Sequence, residues 1–330
     1  MGKYVKGLAR RSKTAIILYK IFDNWRLNRR VNSGSIETTH GSTHANINVA
    51  DSVAYVEKQF RDYLDYAEIT ADYLRGCKIL ELGPGDNLGV ALKFLAAGAN
   101  TVVALDRFYS KRDPAHQKKI YSALAARLNP EERVRFDEAI SSGGEFDPKK
   151  LQSIYGQALE EVADRLSREH GSFDLIVSCA VLEEIYDPAS TFAAMDQLLA
   201  SGGYLVHKID LSDYGMFRNQ GMHPLTFLTI PEYVYKRMAS HSGLPNRKRL
   251  GYYYSLMKDF NYDTKIFVTS TITRGRLEPA EAYVRGIAGE DEPDRRLVNQ
   301  IRGKLAAEFQ QAEYDELLID GMLLVARKPL

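Results

Sequence analysis

The chain has 330 residues, 45% hydrophobic and 26% charged, and its 44 Lys and Arg against 43 Asp and Glu leave a formal charge of +1. That balance excludes a global field selecting nucleic acid, and the length allows one large domain with insertions or a core with a smaller module. Cys77 and Cys179 are too few for a disulfide framework or a cysteine zinc site. No run of about 18 apolar residues spans a bilayer, and "AIILY" is too short for a signal-peptide core, so a cytoplasmic protein is expected.

The first thirty residues carry Lys3, Lys6, Arg10, Arg11, Lys13, Lys20, Arg26, Arg29 and Arg30 against Asp23 alone. Leu18, Ile21, Phe22 and Trp25 follow i, i+3, i+4, i+7 spacing, which predicts a helix with an apolar stripe beside a cationic face. Such a helix either packs its stripe on the domain or lies peripherally on an anionic membrane. Residues 32–50 are small and polar and read as a linker or a flap facing substrate. His40 and His44 lie in it at i, i+4, but the composition opposes the helix that a metal pair would need, so no metal site is expected.

Aromatic and aliphatic residues from Ser52 to about Leu74 recur at helical spacing. Strand and helix then alternate: strand 78–82, helix 87–97, strand 101–105, a long helical tract within 113–170, strand 175–178, helix 188–199 and strand 204–209. Such alternation implies a parallel sheet with helices on both faces. The pattern breaks over residues 211–261, read as an insertion over the ligand edge. Strands 265–272 and 322–327 follow, separated by an amphipathic helix through Leu297, Ile301, Leu305 and Phe309.

Ligands of an open α/β sheet lie beyond the carboxyl ends of its strands. After the first strand come Glu81, Gly83, Gly85, Asp86 and Asn87, where glycines let a ligand approach the backbone. After the second come Asp106, placed to accept from a ribose, and Arg107. Gly83, Gly85 and Gly89 alone also fit a dinucleotide dehydrogenase. Glu81 and Asp86, however, would face a pyrophosphate with like charge, whereas the sulfonium and ammonium of S-adenosylmethionine would welcome them.

"ILELGPGD", "VVALDRF", "FDLIVSCAVLEEIYDP" and "LLASGGYLVHKIDL" resemble the successive motifs of a class I S-adenosylmethionine-dependent methyltransferase, over about residues 76–210. "GMLLVARKP" is similar to the strand that closes that family's sheet. The resemblance implies a Rossmann-like, seven-stranded, mostly parallel sheet with helices on both faces, closed by an antiparallel C-terminal strand pair. An N-terminal helical segment and a cap insertion are added to it. The expected organisation is a basic segment and flap over 1–50, the methyltransferase core over 51–210, a substrate cap over 211–261 and completing strands and helix over 262–330.

By that resemblance Glu81, Gly83, Gly85, Asp86 and Asn87 hold the methionine part of S-adenosylmethionine, Asp106 the ribose, Arg107 the neighbourhood of the adenine, and Cys179 and Ala180 line the cofactor by backbone. Asp137 stands in for the acid that the family usually offers to adenine after strand three. Where many members carry a histidine, Glu184 follows Glu183, either as a base or sulfonium partner or as a solvated helix-start acid. "VHKIDLSDYGMF" and "GLPNRKRL" resemble a bacterial subgroup linked to surface-polysaccharide synthesis, with Tyr214 in place of its histidine. They imply a glycan or lipid-linked sugar acceptor, near His44 and Tyr214. Asp210, His207 and Asp213 cluster at the end of the fifth strand, with Asp210 the first candidate for proton removal. Arg247 and Arg249 make either a fork for an anion or a solvated surface.

Three other readings stay open on residues alone. They are a small-molecule O- or N-methyltransferase, a short-chain-type dehydrogenase using Tyr204 and Lys208 or Tyr254 and Lys258, and a non-catalytic cofactor-binding module.

Overall fold

A computed structural model describes residues 12–34, 37–38, 43–141 and 144–330. Lys3, Lys6, Arg10 and Arg11 of the basic segment, and His40 of the flap, lie outside them.

One eight-stranded sheet organises the chain. Its strands are β1 (Lys78–Leu82), β2 (Thr101–Asp106), β3 (Leu151–Tyr155), β4 (Phe173–Cys179), β5 (Leu199–Asp210), β6 (Asp263–Thr271), β7 (Gly275–Ala282) and β8 (Ile319–Arg327). Their order is β3-β2-β1-β4-β5-β8-β6-β7. The first five are parallel neighbours, and β8 runs antiparallel between β5 and β6. The sheet is thus mostly parallel with antiparallel C-terminal strands, as expected, and β7 adds an eighth strand at the edge. The central strands are near-continuous apolar runs because both faces are covered. Leu80, Leu82, Val103, Leu105 and Ile176 enter one core, and Ile79, Val102, Ala104, Leu175 and Val177 the other, as the two-residue period of a strand requires.

The helices of eight residues or more among the described residues are α1 (Lys13–Asn32), α2 (Val49–Ala67), α3 (Gly89–Ala96), α4 (Pro114–Ala125), α5 (Pro130–Ala139), α6 (Leu159–His170), α7 (Pro188–Leu198), α8 (Glu232–Ala239), α9 (Leu250–Asp259) and α10 (Glu292–Asn299).

Two expectations are corrected. The tract 113–170 is not one helical stretch. Asn129 caps α5 through a capping box with Glu132, Pro130 ends any continuous helix, and "LQSIY" forms β3 beside β2. Likewise Leu297, Ile301, Leu305 and Phe309 do not share one helix. α10 ends at Asn299 and two short 3-10 turns follow, because the Ala306 N–H leaves the helical ladder to donate to Leu228 O at 2.9 Å.

The stripe on α1 also divides. Ile16 is buried and Ile17 and Ile21 pack on the core, whereas Leu18, Phe22 and Trp25 face outward.

Candidate functional site

The strand order reverses between β1 and β4, and a cleft of about 500 Å³ opens at their carboxyl ends, within the range that holds small ligands. The β1–α3 turn forms its floor. Gly83 and Gly85 both hold φ near +64°, open to glycine at no steric cost. The turn at 180–184 presses Val181 against Gly83, so a Cβ there would overlap Val181 Cγ2. Side-chain-free backbone is therefore built into the floor.

Beneath the turn Glu81 is buried, and its Oε2 has no partner among the described residues. Burial pushes its carboxyl up to about 8, with Arg112 opposing. An orphaned acceptor under a glycine turn fits an ammonium, whose charge would also favour the ionised form of the carboxyl. Asp106 ends β2 and lines the cleft. Burial raises its pKa, while the Phe108 and Gly85 N–H groups and Arg112 work the other way. Its Oδ1 accepts from Phe108 N at 2.9 Å.

Asp86 lines the cleft, but its carboxylate is taken by the flap: Oδ1 accepts from His44 N at 3.2 Å and Oδ2 from Ala45 N at 2.7 Å. His44 is thereby held against the cleft, edge-on to Tyr55 with ring centroids 5.2 Å apart, and burial lowers its pKa. Arg107, Cys179 and Ala180 also line the cleft, Ala180 in the left-handed region at φ 54°. Burial keeps Cys179 a thiol, 3.7 Å from the Tyr55 hydroxyl.

The 180–184 turn, packed against the floor at Val181, also carries two acids. Glu184 reaches solvent through the cleft, and desolvation by its walls lifts its carboxyl to about 7, aided by Asp106 and Asp210. Glu183 behind it is fully inside, pushed to about 8 by burial. Its Oε1 accepts from the Tyr214 hydroxyl at 2.9 Å and from Asp210 N at 3.1 Å. Tyr214 lines the cleft from the insertion, with α8 and its loop contributing Ala239, Ser240, His241 and Gly243.

The structure puts several expected site residues elsewhere. Asn87 Nδ2 donates to Gln117 and its Oδ1 accepts from Gly89 N, which fixes the start of α3. Asp137 pairs with Arg133 on exposed α5, away from the cleft. His207 is wholly buried under Phe192 with Nδ1 2.8 Å from Ser178 Oγ, and burial drops its pKa to about 3, so it is a neutral core group. Asp210 Oδ1 accepts from Ser212 N and does not line the cleft. Asp213 accepts from Gly215, Phe217 and Arg218 N–H groups and ties the start of the insertion.

Arg247 is neither an anion fork nor solvated. It lies between Tyr235 and Phe309, donates to Phe227 and Ile230 carbonyls, and pairs with Glu232 and Glu308. Arg249 is equally buried on the carbonyls of Leu211, Glu316, Leu317 and Ile319.

Sequence reasoning missed Tyr55, Phe108, Gln157, Ala158, Val181 and His241, all in the cleft wall. Gln157 and Ala158 follow β3 and stand where an acid was sought at Asp137. The turn residues Gly156 and Gln157 after the short apolar alternation of "LQSIY" were the available signal.

Residues 53–264 match the family model described as a methyltransferase domain. Among solved structures the chain is similar to an S-adenosylmethionine dependent methyltransferase from Mesorhizobium loti, at 14% identity over 79% of this chain and 100% of that one, with a TM-score of 0.35. It is similar to phosphoethanolamine N-methyltransferase 2 from Haemonchus contortus, at 14% identity over 82% and 60%, TM-score 0.37. It is also similar to an arsenic(III) S-adenosylmethionine methyltransferase from Chlamydomonas reinhardtii, at 18% identity over 82% and 71%, TM-score 0.37. No curated protein sequence matches the chain. At these identities the structural likeness carries nothing about substrate.

Proposed function

This chain belongs to the methyltransferase-domain family, and we propose that it methylates a hydroxyl of a sugar acceptor, in a surface glycan or its lipid-linked precursor. It is a methyltransferase dependent on S-adenosylmethionine, and the cleft residues fit that cofactor. Gly83 and Gly85 leave room for a close approach, Glu81 supplies an unpartnered acceptor beneath them, and Asp106 faces the cleft at the end of β2. When bound, S-adenosylmethionine supplies a methyl group made electrophilic by its sulfonium.

The observation that carries the hydroxyl reading is the place of Glu184, a carboxylate in the cleft wall within reach of solvent and acceptor; desolvation by the walls also draws its pKa upward, to about 7. A base with a pKa near the working pH is matched to removing a hydroxyl proton as the acceptor oxygen forms its new bond to carbon. Positioning does much of the rest, since displacement at a methyl group needs alignment more than a strong base. Tyr214 and Glu183 hold the wall behind Glu184 through their hydrogen bond. Asp210, the first candidate on sequence, yields that role to Glu184 because its own carboxylate closes a turn.

One observation favours a second reading, an amine acceptor: Glu184 lines the cleft with Glu183 buried behind it, and both carboxyls are raised, so a cation in the cleft would favour their charged forms. The dehydrogenase reading is closed by the family, and Tyr254 is exposed on α9 outside the cleft. A methyl-labelled cofactor offered with lipid-linked sugars, free glycans and small amines separates the rest. Label in base-stable ether on a sugar supports the proposal, label in an amine transfers it to the second reading, and cofactor binding without any turnover supports a non-catalytic module.

A further inference from the structure

α1 carries two stripes that do different work. On the inner one Ile16, Ile17 and Ile21 meet the core, and Asn24 is tied into the end of α8. Its Nδ2 donates to Arg237 O at 3.0 Å and to Ser240 Oγ at 2.9 Å, and its Oδ1 accepts from His241 N at 2.7 Å. Lys13 adds a bond to Thr229. The helix therefore has its partner in the fold without using its other side.

On the outer side Leu18, Phe22, Trp25 and Arg29 follow i, i+4, i+7, i+11 spacing, with Tyr19, Arg26 and Arg30 in the adjacent row. Leu18, Tyr19, Phe22 and Trp25 expose 62, 60, 58 and 48% of their surface. Single exposed apolar residues are ordinary, but four on one helix face make a patch. The cations are placed with it. The Arg29 guanidinium lies 4.1 Å over the Trp25 ring, and Arg26 and Arg30 are exposed one turn on from the apolar residues. Asp23, paired with Arg26, is the one acid between Lys13 and Asn32. The preceding sequence adds Lys3, Lys6, Arg10 and Arg11 and no acid.

We propose that this outer face of α1 docks the protein peripherally on an anionic lipid surface. Leu18, Tyr19, Phe22 and Trp25 enter the headgroup boundary, and Arg26, Arg29 and Arg30 meet lipid phosphates. Neither signal is enough alone, because a short apolar face binds weakly and a basic cluster is screened by salt. Together they give reversible, charge-dependent docking. No helix among the described residues is long and apolar enough to cross a membrane. α1 also touches the cleft through Val31, and Asn24 holds the lining residue Ser240, so docking would bring the cleft to the lipid plane. The proposal stands apart from the acceptor chemistry, since its test reads lipid binding and not turnover.

Trp25 is the single tryptophan of the chain and reports on the patch directly. The full-length protein is mixed with vesicles of phosphatidylcholine, alone or containing phosphatidylglycerol, and followed by tryptophan emission and co-sedimentation. The expected result is a blue shift and co-sedimentation with the anionic vesicles alone, reversed by salt. R26Q/R29Q/R30Q should lower the partition about a hundredfold, and L18S/F22S by at least about tenfold. Both should keep the wild-type melting temperature, as exposed positions allow. Wild-type protein that stays in the supernatant at low salt overturns the proposal. So does wild-type vesicle binding by both variants, and so does a dimer seen by sedimentation velocity that L18S/F22S abolishes while no vesicle is bound.

Discussion

Replacing Gly83 by alanine tests the floor of the cleft at its tightest point. The substitution places a Cβ on a residue at φ 64°, a conformation that costs an L residue about 1–2 kcal/mol. The new atom would overlap Val181 Cγ2, and Val181 Cβ and Cγ1 lie 3.6 Å away, so the side chain has no slack on that side. Carbon atoms prefer about 3.5–4.0 Å, and overpacking of this kind typically costs about 1–3 kcal/mol. The sum, about 2–5 kcal/mol, lowers the melting temperature of a chain this long by about 3–7 °C at roughly 2.1 cal/mol/K per residue. The larger effect falls on the ligand, because Val181 lines the cleft and can relieve the overlap only by moving. Binding of S-adenosylhomocysteine, measured by isothermal titration, should weaken at least about tenfold, a change of roughly 1.4 kcal/mol. V181A combined with G83A removes the overlapping methyl and should restore most of that affinity while the φ penalty on stability remains. Wild-type affinity in G83A, or no recovery in the double variant, would refute the reasoning.

Glu184→Gln should lower kcat by about 10²- to 10⁴-fold, the usual worth of a positioned base, with cofactor affinity within about twofold. Since the carboxylate is the active form, the wild-type rate should rise with pH through about 7 and then level, and the variant should lose that limb; an unchanged profile removes Glu184 from the mechanism. Glu183 is raised in the fold to about 8, so its contribution to stability is fully present below the ordinary carboxylate range and is lost as pH climbs through about 8. Thermal melts should therefore weaken from pH 5 to pH 8, and Glu183→Gln should flatten the decline, whereas parallel slopes would contradict the assignment. Arg247→Met should cost about 2–4 kcal/mol in urea unfolding by orphaning the Phe227 and Ile230 carbonyls, with cofactor affinity unchanged; selective loss of ligand binding would return Arg247 to the site.

What was legible in the sequence is what local chemistry decides. "KILELGPGD" announces its strand, its glycine turn and its acids within nine residues, and Asp106 follows from where "VVALD" ends. The edge strand "LQSIY" was hidden because it has one sheet neighbour and exposes polar Gln152 and Ser153 along its length, leaving too short an alternation to outweigh the helical patterns around it. Tyr55 could not be read as a cleft residue because its contact with Cys179 joins positions far apart in the chain. Arg247 and Arg249 misled for a physical reason: a basic run looks solvated, but buried backbone carbonyls at Ile230 and at the start of β8 drew both guanidiniums inside. His207 and Asp210 misled similarly, since a strand end offers polar groups both to the core and to the ligand, and only the packing of Phe192 and the turn at Ser212 assign them.

The central claim is that the cleft beyond β1, β2 and β4 binds S-adenosylmethionine. Isothermal titration of the full-length chain with S-adenosylhomocysteine, with NADH as control, and of Asp106→Ala alongside, tests it most directly. The account predicts micromolar binding of the sulfur compound, none of the nicotinamide, and markedly weaker binding by the variant; NADH binding in place of S-adenosylhomocysteine, or affinity untouched by Asp106→Ala, would contradict it.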